Sequence, residues 1–448
     1  MYLEAVDAPD TAGRHTGNMK PAELSASTVR DLASRLGFDL CRIAAPRSGA
    51  VHTDYLEAWL EEGCHGDMAW LARNPDIRMQ PDRLLVADSQ PVRSLVVLGV
   101  GYLHADLPEH VRRDPSRGIF ARYAWHEDYH DQIKPRLFEL DALVRKLSGR
   151  TAHARCWVDT GPVVERDWAM ASGLAFTGKN CCSINPDLGS WIFLAVLAIP
   201  EAVAPDPAPA ARPPAPTLSP IAILDGLPHD RDLGTWVTEG KGKAEQTMTC
   251  GRCTRCLDQC PTDAFRGPLM LDARRCISYW TIEAKGAVPR DLRGRFGNLV
   301  FGCDVCQEVC PWNHERTPGN GFLADRPVRT EWTAPKLLEG FGEDNPYWLD
   351  DAAFRIRFRR SAVKRAKRPG MLRNVCTALG NWGAPAALPA LARALREDSP
   401  PVREHAVWAL GQLMRKAVGP DAATILQVHR DSEHNPGVRE ELAAQLGG

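Results

Sequence analysis

Cys250, Cys253, Cys256 and Cys260 follow one another at steps of three, three and four residues, and Pro261 comes directly after them. Cys303, Cys306 and Cys310 repeat the end of this spacing before Pro311, and Cys276 stands between the two groups. Thiolates are soft ligands, and three presented from one tight loop can reach three irons of one cube while the Cys-Pro step turns the chain away. The spacing is that of bacterial ferredoxins, in which the fourth cysteine of the run serves the other of two clusters. Eight thiolates therefore suit two [4Fe–4S] clusters. With ligands crossing over, Cys250, Cys253, Cys256 and Cys310 form one set, and Cys260, Cys276, Cys303 and Cys306 form the other. Two structural zinc sites compete with this reading, but zinc favours paired cysteines without the trailing proline.

The other six cysteines, Cys41, Cys64, Cys156, Cys181, Cys182 and Cys376, are scattered and read as small buried hydrophobes. The first twenty residues hold no apolar leader, so the expected compartment is the cytoplasm, where a disulfide framework is not expected. A net charge of −1, with 25% charged and 44% hydrophobic residues, is ordinary globular composition, so any nucleic-acid footprint must be local. The apolar run at 191–199 is shorter than the ~20 residues of a membrane span and reads as a buried strand.

These ligands need elements to position them. The expected fold class is α+β and multidomain, with residues 1–20 as a flexible tail. Helical and strand patterns alternate over 21–200, the texture of an α/β layer domain. Strands are predicted at 39–43, 94–100 and 155–158, and a helix at 132–147. Eight prolines among the twenty-one residues 200–220 mark 201–248 as an extended insertion or linker. A ferredoxin-like domain at 249–330 leads into a helical region at 331–448. There Leu388, Leu391 and Leu395, then Val402, Ala406 and Leu410, describe paired amphipathic helices of a HEAT-like repeat.

Two further features bear on chemistry. Asp159 follows a predicted apolar strand, where a carboxyl facing a covered pocket can keep its proton; equally, it can cap the helix expected from about Pro162. Nine cations between 355 and 373, with no acid among them, form a local basic patch suited to phosphates. The named cations are Arg355, Arg357, Arg359, Arg360, Lys364, Arg365, Lys367, Arg368 and Arg373. Lys285, Arg290, Arg293 and Arg295 form a second basic loop between the cysteine groups.

The cysteine run, together with Leu271-Asp-Ala-Arg-Arg-Cys-Ile-Ser-Tyr279, Thr281-Ile-Glu283 and Gly302-Cys-Asp-Val-Cys306, resembles the epoxyqueuosine reductase family. So do Cys310-Pro-Trp-Asn313, Gly66-Asp-Met-Ala-Trp70, Arg122-Tyr123, Asp128-Tyr-His130, Val158-Asp-Thr160 and Thr177-Gly-Lys-Asn180. The resemblance implies a cobalamin-dependent enzyme, with a cobalamin-binding domain at 21–200, that finishes queuosine in the tRNA anticodon. Electrons would pass from the clusters to the cobalt, and Asp159 would be the proton donor. It also implies cobalamin contacts from Arg78, Asp159, Lys179, Asn180, Ser278 and Asp304. For tRNA the expected contacts are Lys285, Arg290, Arg293, Arg359, Arg360, Lys364 and Arg365. The expected partners are a tRNA carrying epoxyqueuosine and an external low-potential electron donor, with the chain acting as a monomer away from membranes.

A cobalamin signature of the form Asp-x-His-x-x-Gly is incomplete, since Ile133 stands at the glycine position after Asp128-Tyr-His130, so His130 is read as structural. Forty-nine residues separate Pro200 from Cys250, a longer link than the family resemblance leads one to expect. Two other classes compete. A corrin-dependent reductive dehalogenase would carry a twin-arginine leader, which the first twenty residues do not show. A non-catalytic electron-transfer module would bind no corrin.

Overall fold

The computed structural model describes residues 24–46, 53–79, 85–86, 90–207, 237–238, 246–247, 250–314, 319–324, 326–338, 348–416 and 419–447. The expected tail at 1–20 and most of the 201–248 insertion lie outside the described residues.

The first domain is built on a four-stranded sheet. Its strands are β1 (Leu40–Ala44), β2 (Ser94–Gly101), β4 (Arg155–Trp157) and β5 (Ile192–Ile199), while β3 (Ile119–Phe120) stands apart. The sheet order is β1-β2-β5-β4 and every neighbouring pair is antiparallel. Alternating helices and strands set the layers but not the strand directions, which depend on the sheet end to which each connection returns. The expectation of an α/β domain is thus corrected to α+β.

All eight residues of β2 are buried, because helices cover both faces. On one face Val96, Leu98 and Val100 pack with Val29 and Ala33 of α1 (Ala26–Arg35) and with Ile133, Leu137 and Leu140 of a later helix, Tyr129–Ser148. On the other, Leu95 and Val97 meet Trp168 and Ala169 of the helix Glu165–Ala171. In chain order, with Pro75–Met79 as α2, these last two helices are α3 and α4.

Strand β6 (Leu299–Phe301) leaves the cysteine domain to pair in parallel with β3. Phe120 and Phe301 then enter one apolar core with Trp332, Phe358, Leu379, Leu391 and Leu410. Hence the boundary expected at 330/331 does not divide separate cores. After α5 (Ile277–Ile282) come the long helices α6 (Lys367–Trp382), α7 (Pro400–Lys416), α8 (Gly419–Ser432) and α9 (Pro436–Leu446). The apolar positions predicted for the repeat face inward, with Val402, Ala406 and Leu410 at 0% exposure.

Polar bonds fasten α6 and α7 to the cysteine domain. Arg373, counted above in the basic segment, is buried at 1% exposure. It donates to the carbonyls of Ala284 at 2.8 Å, Gly286 at 2.6 Å and Trp280. Asn374 Nδ2 donates to Thr281 O and Val300 O, both at 2.9 Å. The Val288 N–H donates to His405 Nε2 at 3.0 Å. Since backbone groups removed from water must find partners, these side chains fix the 283–288 loop from behind and present Lys285 outward.

Candidate active site

Electrostatic contacts sort the cysteines into two quartets. Burial raises Cys256 to about 12, and the nearby thiols Cys250, Cys310 and Cys253 add to it. Burial likewise raises Cys310 to about 11, with Cys250 and Cys253 among its neighbours. Cys310, distant in sequence, therefore sits with the first three cysteines of the run. In the other group, burial raises Cys276 and Cys303, and both feel Cys260. Cys306 is raised by the Cys182 thiol, then by burial, and then by Cys182, Cys303 and Cys276 as charged neighbours. In this structure Cys310 thus neighbours the first three cysteines of the run, and Cys260 neighbours Cys276 and Cys303.

Among the described residues, no group of three or more His, Cys, Asp or Glu side chains is close enough to hold a single metal ion. Eight thiols in two neighbourhoods match the ligand count of two four-iron cubes. Buried thiols that resist ionisation also need the positive charge of the metal to become ligands.

Beside the second quartet lies a cavity of about 580 Å³. Trp59, Trp70, Leu71 and Phe193 supply apolar walls; Arg78, Asp159 and Glu165 stand on its polar side, and Cys182 and Gln307 line it as well. Two atoms from lining residues, Glu165 Oε1 and Ser183 Oγ, are sealed from solvent without a hydrogen-bond partner. Flat apolar walls with unpartnered polar atoms fit a corrin, whose ring is apolar and whose rim carries amides.

Of the residues expected around cobalamin, Arg78 and Asp159 line this cavity, and Lys179, Asn180, Ser278 and Asp304 do not. Lys179 is 1% exposed and serves the first quartet. Its N–H donates to Cys250 Sγ at 3.4 Å, and its Nζ donates to Gly251 O at 2.8 Å. Asn180 donates to Cys306 O at 3.2 Å. Ser278 hydrogen-bonds Cys276. Asp304 accepts the Arg122 N–H at 2.7 Å, and burial raises it to about 6. In this structure these four support the cysteine loops, satisfying amides, carbonyls and thiols beside the ligand cysteines. His130 Nδ1 lies 2.9 Å from Asp128 Oδ1.

Asp159 has φ +56°, a left-handed backbone that Asp tolerates better than most residues. Strand β4 ends two residues earlier, and α4 starts at Glu165 with Val164 as N-cap, so Asp159 does not cap that helix. Its carboxyl is exposed at the cavity edge and not covered. Tyr129 Oη donates to Asp159 Oδ2. The Tyr129 ring is itself held, stacked on Phe193 with centroids 4.1 Å apart and planes 8° apart. Two residues on, the loop passes Trp157 so closely that a Cβ at Gly161 would lie 2.0 Å from the indole. Arg78 Nη1 donates to the Gly161 carbonyl at 3.0 Å, so Arg78 steadies this loop as well as lining the cavity.

Sequence reasoning passed over three residues. Tyr129 lies inside a quoted motif, Cys182 was read as an inert thiol, and Glu165 looked like an ordinary acid in the first turn of a helix. Burial first, and then Asp159, push Glu165 up to about 7.

The basic residues divide. Arg293 is 2% exposed and paired with Glu441 at 3.0 Å and with Glu404. Its expected tRNA contact is corrected, since a guanidinium enclosed by two carboxylates cannot reach a phosphate. Arg290 pairs with Glu441 at 3.1 Å, and Arg295 pairs with Asp263 at 2.5 Å. Arg360 pairs with Glu127 at 2.9 Å, Lys364 with Asp128 at 2.7 Å, Arg365 with Glu283 and Arg368 with Glu397 at 2.6 Å. Lys285, Arg355, Arg357, Arg359 and Lys367 are exposed and carry no ion pair among the described residues. Arg365 also lies 5.8 Å from the Trp70 ring centroid, which brings the basic segment to the mouth of the cavity.

A double-cluster framework joined to a cavity with a carboxyl at its edge defines an iron–sulfur oxidoreductase. The model of a 4Fe-4S double cluster binding domain matches residues 249–313, and HEAT repeats match 356–447. Residues 78–160 match the model described as epoxyqueuosine reductase QueG, DUF1730. An epoxyqueuosine reductase of Xanthomonas campestris is 36% identical over 395 residues, covering 87% of this chain and 96% of that protein. The Escherichia coli epoxyqueuosine reductase is 31% identical over 408 residues, covering 89% and 92%. A crystal structure of epoxyqueuosine reductase with an epoxyqueuosine-modified tRNA-Tyr stem loop superposes with a TM-score of 0.75 at 25% identity, covering 94% of this chain and 97% of that one. The chain belongs to the epoxyqueuosine reductase family. Among the described residues no helix is long and apolar enough to cross a membrane.

Proposed function

We propose that this chain reduces epoxyqueuosine in the anticodon loop of tRNA to queuosine, with Asp159 as proton donor. Converting the epoxide to an alkene takes two electrons and two protons, and the oxygen leaves as water. The observation that supports this reading most is a juxtaposition. Asp159 and Cys182 line the same cavity, and the Cys182 thiol meets Cys306 of the second quartet. A proton source and an electron source therefore face one cavity. The two quartets would hold [4Fe–4S] clusters, which would relay single electrons from an external low-potential donor, and the cavity lined by Trp59, Trp70 and Arg78 would hold cobalamin, which would supply the reducing power for opening a strained epoxide.

The chain's own residues do the rest. Asp159 holds a proton at its carboxyl for the departing oxygen, and Tyr129 fixes that carboxyl by donating to Oδ2. Trp59, Trp70 and Leu71 give the cavity apolar walls against which a flat ring can lie. To test the reading, protein reconstituted anaerobically with iron, sulfide and cobalamin should bind about eight irons per chain. With a low-potential reductant it should convert epoxyqueuosine tRNA to queuosine tRNA, read by mass spectrometry of digested nucleosides. No conversion, under conditions where the Escherichia coli relative turns over, would refute it.

Binding of tRNA draws on the unpaired cations. Each phosphate contact contributes about 0.9 to the salt slope of binding. Replacing Arg355, Arg357 and Arg359 together by Ala should therefore lower that slope by up to about three, with cluster spectra unchanged. Arg360, Lys364 and Arg365 already face carboxylates, so their removal should cost less per charge. Filter binding across a potassium chloride series measures both; an unchanged slope in the triple variant makes the segment a solvated face.

A further inference from the structure

Three aromatic rings stand in a row along the cavity wall. Tyr102, just past the end of β2, donates its N–H to Trp191 O at 2.9 Å, so it lies opposite Trp191 and diagonal to Phe193 of β5, which pairs with Val100. Diagonal neighbours across a strand pair are within reach of aromatic side chains. The Tyr102 and Phe193 rings stack accordingly, with centroids 4.4 Å and planes 28° apart, and Tyr129 lies against Phe193 at 4.1 Å and 8°. Phe193 is the middle ring. Each end of the row is bonded to a group with a part in the chemistry. At one end Gln307 Nε2 donates to Tyr102 Oη at 3.3 Å and to Ser190 O at 3.0 Å. Gln307 follows Cys306 of the second quartet directly in the chain, and it lines the cavity. At the other end Tyr129 Oη donates to Asp159 Oδ2. Tyr129 is the first residue of α3, whose N-cap Asp128 accepts from the His130 N–H at 3.1 Å and pairs with Lys364 at 2.7 Å. The backbone beneath both tyrosines is therefore fixed by its own bonds.

We propose that Phe193 and Tyr102 are positioning residues for the proton donor: their rings hold the Tyr129 hydroxyl on Asp159, and the Gln307 amide registers the stack against the loop of the second quartet. The inference rests on the reading of Asp159 given above. An exposed carboxyl at a left-handed turn can take several rotamers, and a hydroxyl selects one of them only if its own ring cannot swing. Offset stacking on Phe193 supplies that restraint. The consequence is that the place of proton delivery is set by the same wall that joins the cavity to the residue after Cys306.

Phe193→Leu in the full chain, loaded with both clusters and cobalamin, removes the middle ring. Single-turnover reduction should slow by up to about 10²-fold, the cost of misplacing a reacting group by about 1 Å. Cluster spectra, cobalamin content and tRNA affinity should be retained; loss of cobalamin would make Phe193 a plain wall of the cavity and overturn the proposal. The same change made in Asp159→Asn should cost little more, because residues that act through one group are not additive. Equal losses in the two backgrounds would show that Phe193 acts elsewhere, and the proposal would fall. A second readout needs no turnover. Ultraviolet resonance Raman bands of a phenol report its hydrogen bond, and the contribution of Tyr129, found as what Tyr129→Phe removes, should shift in Phe193→Leu toward that of a solvated tyrosine. An unshifted band also overturns the proposal. Phe193→Met, which fills the gap without a flat face, takes the place of Leu if that variant loses its clusters. If the wild type fails to reduce epoxyqueuosine, or Asp159→Asn turns over normally, while the Raman shift is present, the functional reading falls and the hold of the stack on the carboxyl stands.

Discussion

Asp159→Asn is expected to lose about 10²- to 10⁴-fold in single-turnover reduction of epoxyqueuosine tRNA, the range over which a positioned general acid contributes. Clusters, cobalamin content and tRNA affinity should be retained. The substitution isolates the proton. Asn tolerates the left-handed backbone at this position as well as Asp does, and its amide oxygen still accepts from Tyr129 Oη. Neither the loop nor the ring stack on Phe193 should therefore change. What is lost is a group able to hand a proton to the leaving oxygen. Tyr129→Phe keeps the acid and removes only its anchor, so its loss should be smaller. A near-normal rate in Asp159→Asn, with bound cofactors verified by their spectra, would remove the carboxyl from the chemistry and leave it a turn residue.

Some of this site could be read from the chain, and the boundary has physical causes. Ligand spacing constrains a cube directly, so the double-cluster framework was legible in steps of three and four residues and a trailing proline. The strands were legible because β2 and β5 are covered on both faces and so read as unbroken apolar runs. Strand direction was not, since it depends on where long connections return. The residues beside ligand cysteines illustrate another limit: Lys179 and Asp304 look equally able to hold a corrin or a cysteine loop until the loop carbonyls and amides they satisfy are placed. Glu165 was invisible for a different reason. An acid in the first turn of a helix is usually explained by the helix itself, and only the neighbouring carboxyl and the closed wall around Oε1 set it apart.

The basic loop shows most sharply how tertiary partners decide the meaning of a charge. Lys285 and Arg293 are eight residues apart and read alike in sequence. Glu404 and Glu441 lie 111 and 148 positions beyond Arg293, and they turn it into a buried tie between the cysteine domain and the repeat. Its Nε also donates to Val288 O at 2.7 Å, at the end of the loop that presents Lys285. Replacing one member of a buried, hydrogen-bonded charge network leaves its partners desolvated and unpaired, which costs about 3–5 kcal/mol. Arg293→Met should therefore lower the midpoint of urea unfolding strongly and loosen the loop, since Glu404 loses a partner and Glu441 is left with the half-exposed Arg290 and the Gln445 amide. Lys285→Ala should do the reverse: stability within about 0.5 kcal/mol of wild type, as for exposed surface changes, and a salt slope of tRNA binding lower by nearly one. Should Arg293→Met unfold like the wild type and lower the salt slope instead, the guanidinium would have to be free in solution, and the docking of the repeat onto the cysteine domain would rest on the shared apolar core and on bonds such as those of Arg373, Asn374 and His405.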